Sequence, residues 1–91
     1  MTLDAFIRAR SESWVELEAA VGQARGRPER LGAEGVRKLG TLYRAAAADL
    51  ALARRRFPGD PIRDRLERLV ASAGLLVYET RSRRTSIMSS R

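Results

Sequence analysis

The stretch over residues 36–57 is the feature that most constrains how this chain can fold. Its apolar residues recur at steps of three and four, the spacing of one face of an α-helix. They are Val36, Leu39, Leu42, Tyr43, Ala46, Leu50, Ala53 and Phe57. Four consecutive alanines, residues 45–48, lie in the middle, where small side chains favour helix and let neighbouring helices approach closely. This stretch is therefore predicted to be a central helix.

Two further helical patterns flank the central one. The first begins after Thr2, which is placed to cap it, and fades in the glycine- and proline-containing segment over residues 26–32. The third follows a strong start signal, since Asp60 is a favourable cap and Pro61 suits the first helical position. We therefore predict an all-α fold, an antiparallel three-helix bundle with helices at about residues 3–25, 33–57 and 61–80.

The last eleven residues differ in composition from the bundle. Residues 81–91 contain four arginines, four serines and no acidic residue. Such a composition buries little apolar surface and is typical of a frayed or disordered terminus. We predict a bundle domain over residues 1–80 and a separate basic tail over residues 81–91, either disordered or next to a membrane.

The composition argues against an enzyme. The 91 residues include no histidine and no cysteine, which removes the usual zinc ligands, thiolate nucleophiles and the side chain best suited to proton transfer. No glycine-rich phosphate loop or paired carboxylates are apparent. We expect no catalytic, cofactor-binding or metal site. The net charge of +7 favours anionic partners without choosing between nucleic acid, acidic protein and phospholipid.

Arg10 is an anomaly, because it falls in the middle of the apolar stripe of the first helix. One interpretation is that its aliphatic stem packs on the stripe while the guanidinium reaches water. The other is an ion pair. If the first two helices are antiparallel, Arg10 is level with Ala46, one turn from Asp49. This interpretation predicts a structural Arg10–Asp49 pair that fixes helix register and performs no chemistry.

The outer faces of the second and third helices are unusually apolar. From residue 70 to 78 the third helix is close to apolar all round, which is typical of a helix buried on both sides. We predict that the two outer faces merge into one docking patch. Its candidate residues are Ala45, Ala48, Leu52, Ala71, Gly74, Leu75 and Tyr78. The alternative is that the alanines only favour helix and that one exposed leucine needs no explanation.

Several segments carry a resemblance to a known family. They are Leu-Asp-Ala-Phe-Ile from Leu3, Arg10, residues 14–18, the Leu-Tyr-Arg-x-Ala-x-x-Asp-Leu-Ala run at residues 42–51, residues 69–73 and residues 76–78. Over about residues 3–80 the chain resembles the N-terminal cytoplasmic part of the stage II sporulation protein M family. Members of that family are polytopic bacterial membrane proteins in which this helical part precedes the spanning segments, and the sporulation member is implicated in septal cell-wall remodelling.

The resemblance implies a non-catalytic scaffold or adaptor on the cytoplasmic side of the bacterial cell membrane. Arg81, Arg83 and Arg84 would then lie just before a membrane helix and contact anionic lipid. The docking patch would face the membrane portion or a protein partner. The sequence itself has no run of about 20 apolar residues that would span a bilayer.

An alternative reading is a stand-alone basic helical module that homodimerises through the patch or binds nucleic acid. The basic residues are spread over all three predicted helices, and no short turn joins two helices in the manner of a DNA-recognition motif. Nucleic acid is therefore the weaker expectation.

Overall fold

The computed structural model describes the backbone of residues 1–89 and the side chains of residues 1–81. Three α-helices account for most of it: α1 (Leu3–Ala24), α2 (Gly32–Arg56) and α3 (Pro61–Ser89). A short 3-10 helix, Pro28–Leu31, joins α1 to α2. No strand occurs in this part of the chain. The predicted all-α three-helix fold is confirmed.

Contacts between the helices fix their directions. The rings of Phe6, near the start of α1, and Phe57, just past the end of α2, stack with centroids 5.7 Å apart. Arg54, near the end of α2, donates from Nε to Glu67 Oε2, near the start of α3, at 3.3 Å. Each consecutive pair of helices is therefore antiparallel, and α1 runs parallel to α3.

The core lies along the line where the three predicted apolar stripes meet. Phe6 and Trp14 are almost fully buried and pack edge to face, with ring centroids 5.4 Å apart. Burying large apolar side chains of this kind contributes about 1.5–3 kcal/mol each. The buried hydrophobic residues are Phe6, Trp14, Leu17, Ala24, Leu39, Ala46, Leu50, Ala53, Ile62, Leu66, Leu69, Ala73 and Leu76.

The two helix starts predicted from capping residues are confirmed. Thr2 Oγ1 accepts a hydrogen bond from the backbone N–H of Ala5 at 3.1 Å. Asp60 Oδ1 accepts one from the N–H of Ile62 at 2.9 Å. In each case a side-chain oxygen satisfies a backbone donor that has no partner inside the helix.

The connection between α1 and α2 is more ordered than the sequence suggests. Its glycines and proline predict only a loop, yet four residues form the 3-10 helix and Pro28 is buried. Gly32 has φ +74°, and α2 begins at this residue without a side-chain cap. The proline therefore serves as a core contact as well as a helix breaker.

Helix α3 is longer than predicted. It continues to Ser89, nine residues past the expected end at residue 80. The sequence contains no glycine or proline after Gly74 that would end it, and arginine is a good helix former. Residues 90 and 91 of the predicted tail lie outside the described residues.

Candidate interaction surfaces

Asp49 of α2 is the centre of a buried polar network. It is only 8% exposed. Arg10 Nε of α1 donates to both of its carboxylate oxygens, at 3.1 Å to Oδ1 and 2.9 Å to Oδ2. The structure thus places the two residues of the predicted ion pair in direct contact, with the Arg10 side chain about one-third exposed. The guanidinium neutralises a carboxylate that would be costly to bury alone.

Trp14 completes this network, a role that its place in an apolar stripe did not suggest. Its indole Nε1–H donates to Asp49 Oδ2 at 2.7 Å. A buried tryptophan N–H needs a hydrogen-bond acceptor. The position of Trp14 one helical turn from Arg10 is therefore the sequence signal from which its contact with Asp49 could have been predicted. The network belongs to the core and connects α1 to α2.

The third helix reaches the same region through Arg65. Its Cζ lies 5.6 Å from the centroid of the Trp14 ring, in the geometry of a cation–π contact. The same guanidinium donates from Nε and Nη2 to the two carboxylate oxygens of Glu18, both at 3.1 Å. Arg65 and Glu18 therefore form an ion pair that joins α3 to α1, and this pairing stabilises the packing of the two helices.

A second ion pair joins α1 to α2 near the other end of the bundle. Lys38 Nζ lies 2.7 Å from Glu16 Oε2. The hydrogen bond to Glu16, and then the negative charge of that carboxylate, raise the pKa of Lys38 above its ordinary value of 10.5. The lysine therefore marks which side of α2 faces α1.

On α3, three of the predicted docking residues lie together on the surface turned away from the core. Ala71, Leu75 and Tyr78 are all exposed, and we call them the α3 outer face. Leu75 is 70% exposed and Tyr78 is 68% exposed. Residues three and four positions apart in a helix are neighbours, so the three side chains form one continuous surface.

The predicted docking residues of α2 lie elsewhere, which corrects the prediction of one merged patch. Ala45 and Leu52 follow Lys38 at steps of seven residues and share its side of the helix, the side that faces α1. Leu52 also packs against the core. Ala48 is exposed, but on the outward side of α2.

Helix α3 packs against the opposite side of α2, so the two sets do not meet. Gly74 marks this contact, because a Cβ atom there would lie 3.4 Å from Cε1 of Tyr43. The apolar stripes alone do not tell on which side of α2 the third helix packs, which is why the patch was assembled wrongly.

An open groove lies between the first half of α2 and the end of the described part of α3. Its volume is about 260 Å³. The lining residues are Val36, Arg37, Leu39, Gly40, Arg44, Val77, Thr80 and Arg81. Arg81, predicted to contact a membrane or another anionic partner, is exposed at its edge. The side chains of Arg83 and Arg84, predicted to act with it, lie outside the described residues.

The described part of the chain offers no group of histidine, cysteine, aspartate or glutamate residues that could hold a metal ion. Within the same residues, no helix combines the length and the apolar character needed to cross a membrane.

A family described as "Domain of unknown function (DUF8413)" matches residues 4–79 of the chain. This range includes all the hydrophobic residues that are buried in the described part of the structure. No curated protein and no solved structure is significantly similar to the chain.

Proposed function

The chain belongs to the DUF8413 family, and we propose that it is a non-catalytic adaptor that binds another protein through the α3 outer face. The observation that carries this proposal is the exposure of Leu75 and Tyr78 side by side. They are two of the four large hydrophobic residues that are exposed in the described part of the chain; Met1 and Val15 are the others.

The energetics favour a protein contact at this face. Covering a leucine or an aromatic side chain contributes about 1.5–3 kcal/mol. Tyrosine is enriched among the residues that dominate binding energy. Ala71 lies one turn before Leu75 and is small enough to let a partner helix approach closely. The exposed arginines Arg68 and Arg81 supply a polar rim to this apolar centre.

The non-catalytic part of the proposal is supported by how the charged side chains are used. Asp49, Glu16, Glu18 and Glu67 each pair with a basic residue of another helix. Groups engaged in this way stabilise packing, whereas a catalytic acid or base must be free to meet a substrate.

The proposed location is the cytoplasmic side of the bacterial cell membrane, with a part in envelope remodelling. It rests on the resemblance to the stage II sporulation protein M family and on the basic run of Arg81, Arg83 and Arg84. Each basic residue near an anionic membrane surface contributes about 1 kcal/mol of binding. Salt-sensitive sedimentation with anionic but not neutral vesicles, lost in a triple Arg→Ala variant at these positions, would support this part. Equal sedimentation of the variant would refute it.

Site-specific photo-crosslinking in cells that express the full-length protein tests the adaptor role. A photo-reactive amino acid at position 75 or 78 is expected to capture a partner that one at position 15 does not. Val15 is a matched control because it is also exposed and apolar, but lies on α1.

The captured partner is then purified and its affinity is measured. Leu75→Glu is expected to weaken binding by roughly tenfold or more, since it places a charge in an apolar contact. Val15→Glu makes the same chemical change and is expected to have little effect. Equal losses in the two variants, or none in Leu75→Glu, would contradict the proposal.

Self-association through the same face is the alternative. It predicts that the wild-type chain sediments as a dimer and that Leu75→Glu sediments as a monomer. A wild-type chain that stays monomeric at high concentration excludes this alternative.

A further inference from the structure

We infer that the groove between α2 and α3 binds an acidic amphipathic helix of another protein. Arg81 lies at the edge of both this groove and the α3 outer face, but the other lining residues of the groove are distinct from that face, and the inference does not depend on the function proposed above. It starts from three features of the described residues: a recessed apolar floor, a rim of arginines, and the spacing of those arginines along α2.

The floor of the groove is apolar and includes Gly40, which has no side chain to fill it. Val36, Leu39 and Val77 line the same groove. A Cβ atom on Gly40 would lie 3.5 Å from Nη1 of Arg44, which shows that this guanidinium folds back over the glycine. With a volume of about 260 Å³ the groove is smaller than pockets that enclose drug-sized molecules. It suits one or two apolar side chains of a docked segment.

The rim of the groove is positively charged. Arg37, Arg44 and Arg81 line it, and none of the lining residues that the structure describes is acidic. Arg37 pairs with Glu34, but both side chains are more than 70% exposed, and such pairs contribute little and exchange readily. Neither Arg44 nor Arg81 takes part in an ion pair within the described part of the chain. The rim is therefore open to carboxylates from a partner.

The spacing of the arginines favours a helical partner. Arg37 and Arg44 are seven residues apart on one side of α2, which places their Cα atoms about 10.5 Å apart along the helix axis. A partner helix with acidic residues seven positions apart presents carboxylates at the same interval. Apolar residues between them, at the third and fourth positions, would then point into the floor.

A membrane surface fits this groove less well. The apolar floor is recessed between two helices, so a flat layer of head groups would reach the arginines and leave the floor uncovered. A single free phosphate would likewise engage one end of the rim only. A partner helix can contact both parts of the groove, because its acidic side chains reach the arginines of the rim while the apolar side chains between them cover the floor.

Binding of designed peptides tests the inference. The first probe is a fluorescent 14-residue helical peptide with glutamates seven positions apart and two leucines between them. The second has the same composition with glutamates five positions apart, which places them on different faces. The full chain is expected to bind the first at least tenfold more tightly in an anisotropy titration.

Charge-reversal variants locate the site. Arg44→Glu and Arg81→Glu are each expected to weaken binding of the first peptide by roughly tenfold or more. Arg55→Glu is the matched control, because it changes the net charge equally at an exposed residue in the last turn of α2. Gly40→Leu should also abolish binding by filling the floor, and circular dichroism confirms that each variant is folded.

Each other outcome overturns the inference. If Arg55→Glu weakens binding as much as Arg44→Glu, the attraction is general electrostatics. If both peptides bind equally, or neither binds at millimolar concentration, the groove does not recognise an acidic helix. Binding to phosphatidylserine vesicles that Arg44→Glu abolishes, without peptide binding, would identify a lipid as the occupant. Loss in Leu75→Glu but not in Arg44→Glu would place the contact on the α3 outer face.

Discussion

At the scale of single residues, Asp49 illustrates how one polar group can define a helix arrangement. Apolar stripes tolerate sliding and rotation, because any pair of leucines packs about as well as another. The Asp49 carboxylate is satisfied in one arrangement, with Arg10 Nε and Trp14 Nε1 both within 3.1 Å. Such a group disfavours alternative registers, in which it would be buried without partners.

Replacing Asp49 should therefore be costly. Asp49→Ala removes three hydrogen bonds and leaves the Trp14 N–H buried without an acceptor, so we expect a loss of about 2–4 kcal/mol in the free energy of unfolding. Urea unfolding followed by the fluorescence of Trp14, the sole tryptophan of the chain, measures it. Glu12→Ala removes an exposed carboxylate and should change stability by less than about 0.5 kcal/mol. Equal losses in both variants would mean that the network is not stabilising.

The Lys38–Glu16 pair gives a prediction about pH. Because Glu16 raises the pKa of Lys38 in the folded state, the pair stabilises the fold below the ordinary lysine pKa. That contribution is lost as the pH rises through the raised value. Titration of the Lys38 side chain by NMR should show the raised pKa, and Glu16→Gln should return it towards 10.5. A pKa unchanged by Glu16→Gln would show that the pair does not persist in solution.

At the scale of helices, the sequence predicts the fold well and the surfaces poorly. The spacing of apolar residues such as Leu17, Leu50 and Leu66 identifies the inward face of each helix, and the caps at Thr2 and Asp60 mark two helix starts. Which side of α2 receives α3 depends on contacts between helices, such as that of Gly74 with Tyr43, which no single-helix pattern records. For this reason the prediction that the outer faces of α2 and α3 form one docking patch was wrong. The groove that Gly40 lines was not predicted from the sequence.

Replacing either of two helical glycines, Gly22 or Gly35, with alanine is expected to change stability in opposite directions. A Cβ atom on Gly22 meets nothing within 4 Å, so Gly22→Ala should stabilise the protein by about 0.5–1 kcal/mol through helix propensity. A Cβ atom on Gly35 would lie 2.7 Å from Cβ of Leu31. Gly35→Ala should therefore cost about 1–3 kcal/mol, because the junction before α2 must shift. Thermal unfolding of the two variants checks the sign, and stabilisation by both would contradict the close packing at Leu31.

At the scale of the whole molecule, the last buried hydrophobic residue among the side chains that the structure describes, residues 1–81, is Leu76. The family match ends close by, at residue 79. The sequence predicts that the bundle domain ends at residue 80, because apolar residues become sparse after Tyr78. It does not predict that the backbone of α3 continues as a helix to Ser89, since charge and serine content suggest disorder while arginine propensity favours helix.

Removing the tail tests where the folding unit ends. A chain that stops at Thr80 retains every hydrophobic residue that is buried in the described part of the structure, so its free energy of unfolding should lie within about 1 kcal/mol of that of the full chain. Urea unfolding of both chains under the same buffer conditions measures the difference. A loss of more than about 2 kcal/mol would show that residues 81–91 pack on the bundle and that the domain is longer than predicted.

Because α1 and α3 run parallel, the start of α1 and the end of α3 lie at opposite ends of the bundle. Phe6 lies beside Phe57 at one end of α2, whereas Arg81 shares a groove with Val36 at the other end. The segment of α2 between residues 36 and 56 is about 30 Å long at 1.5 Å per residue. Two proteins fused to the opposite termini would therefore be held apart by at least that length. A pull between them would act along the helix axes, so the packed faces would have to slide past one another before the bundle opened.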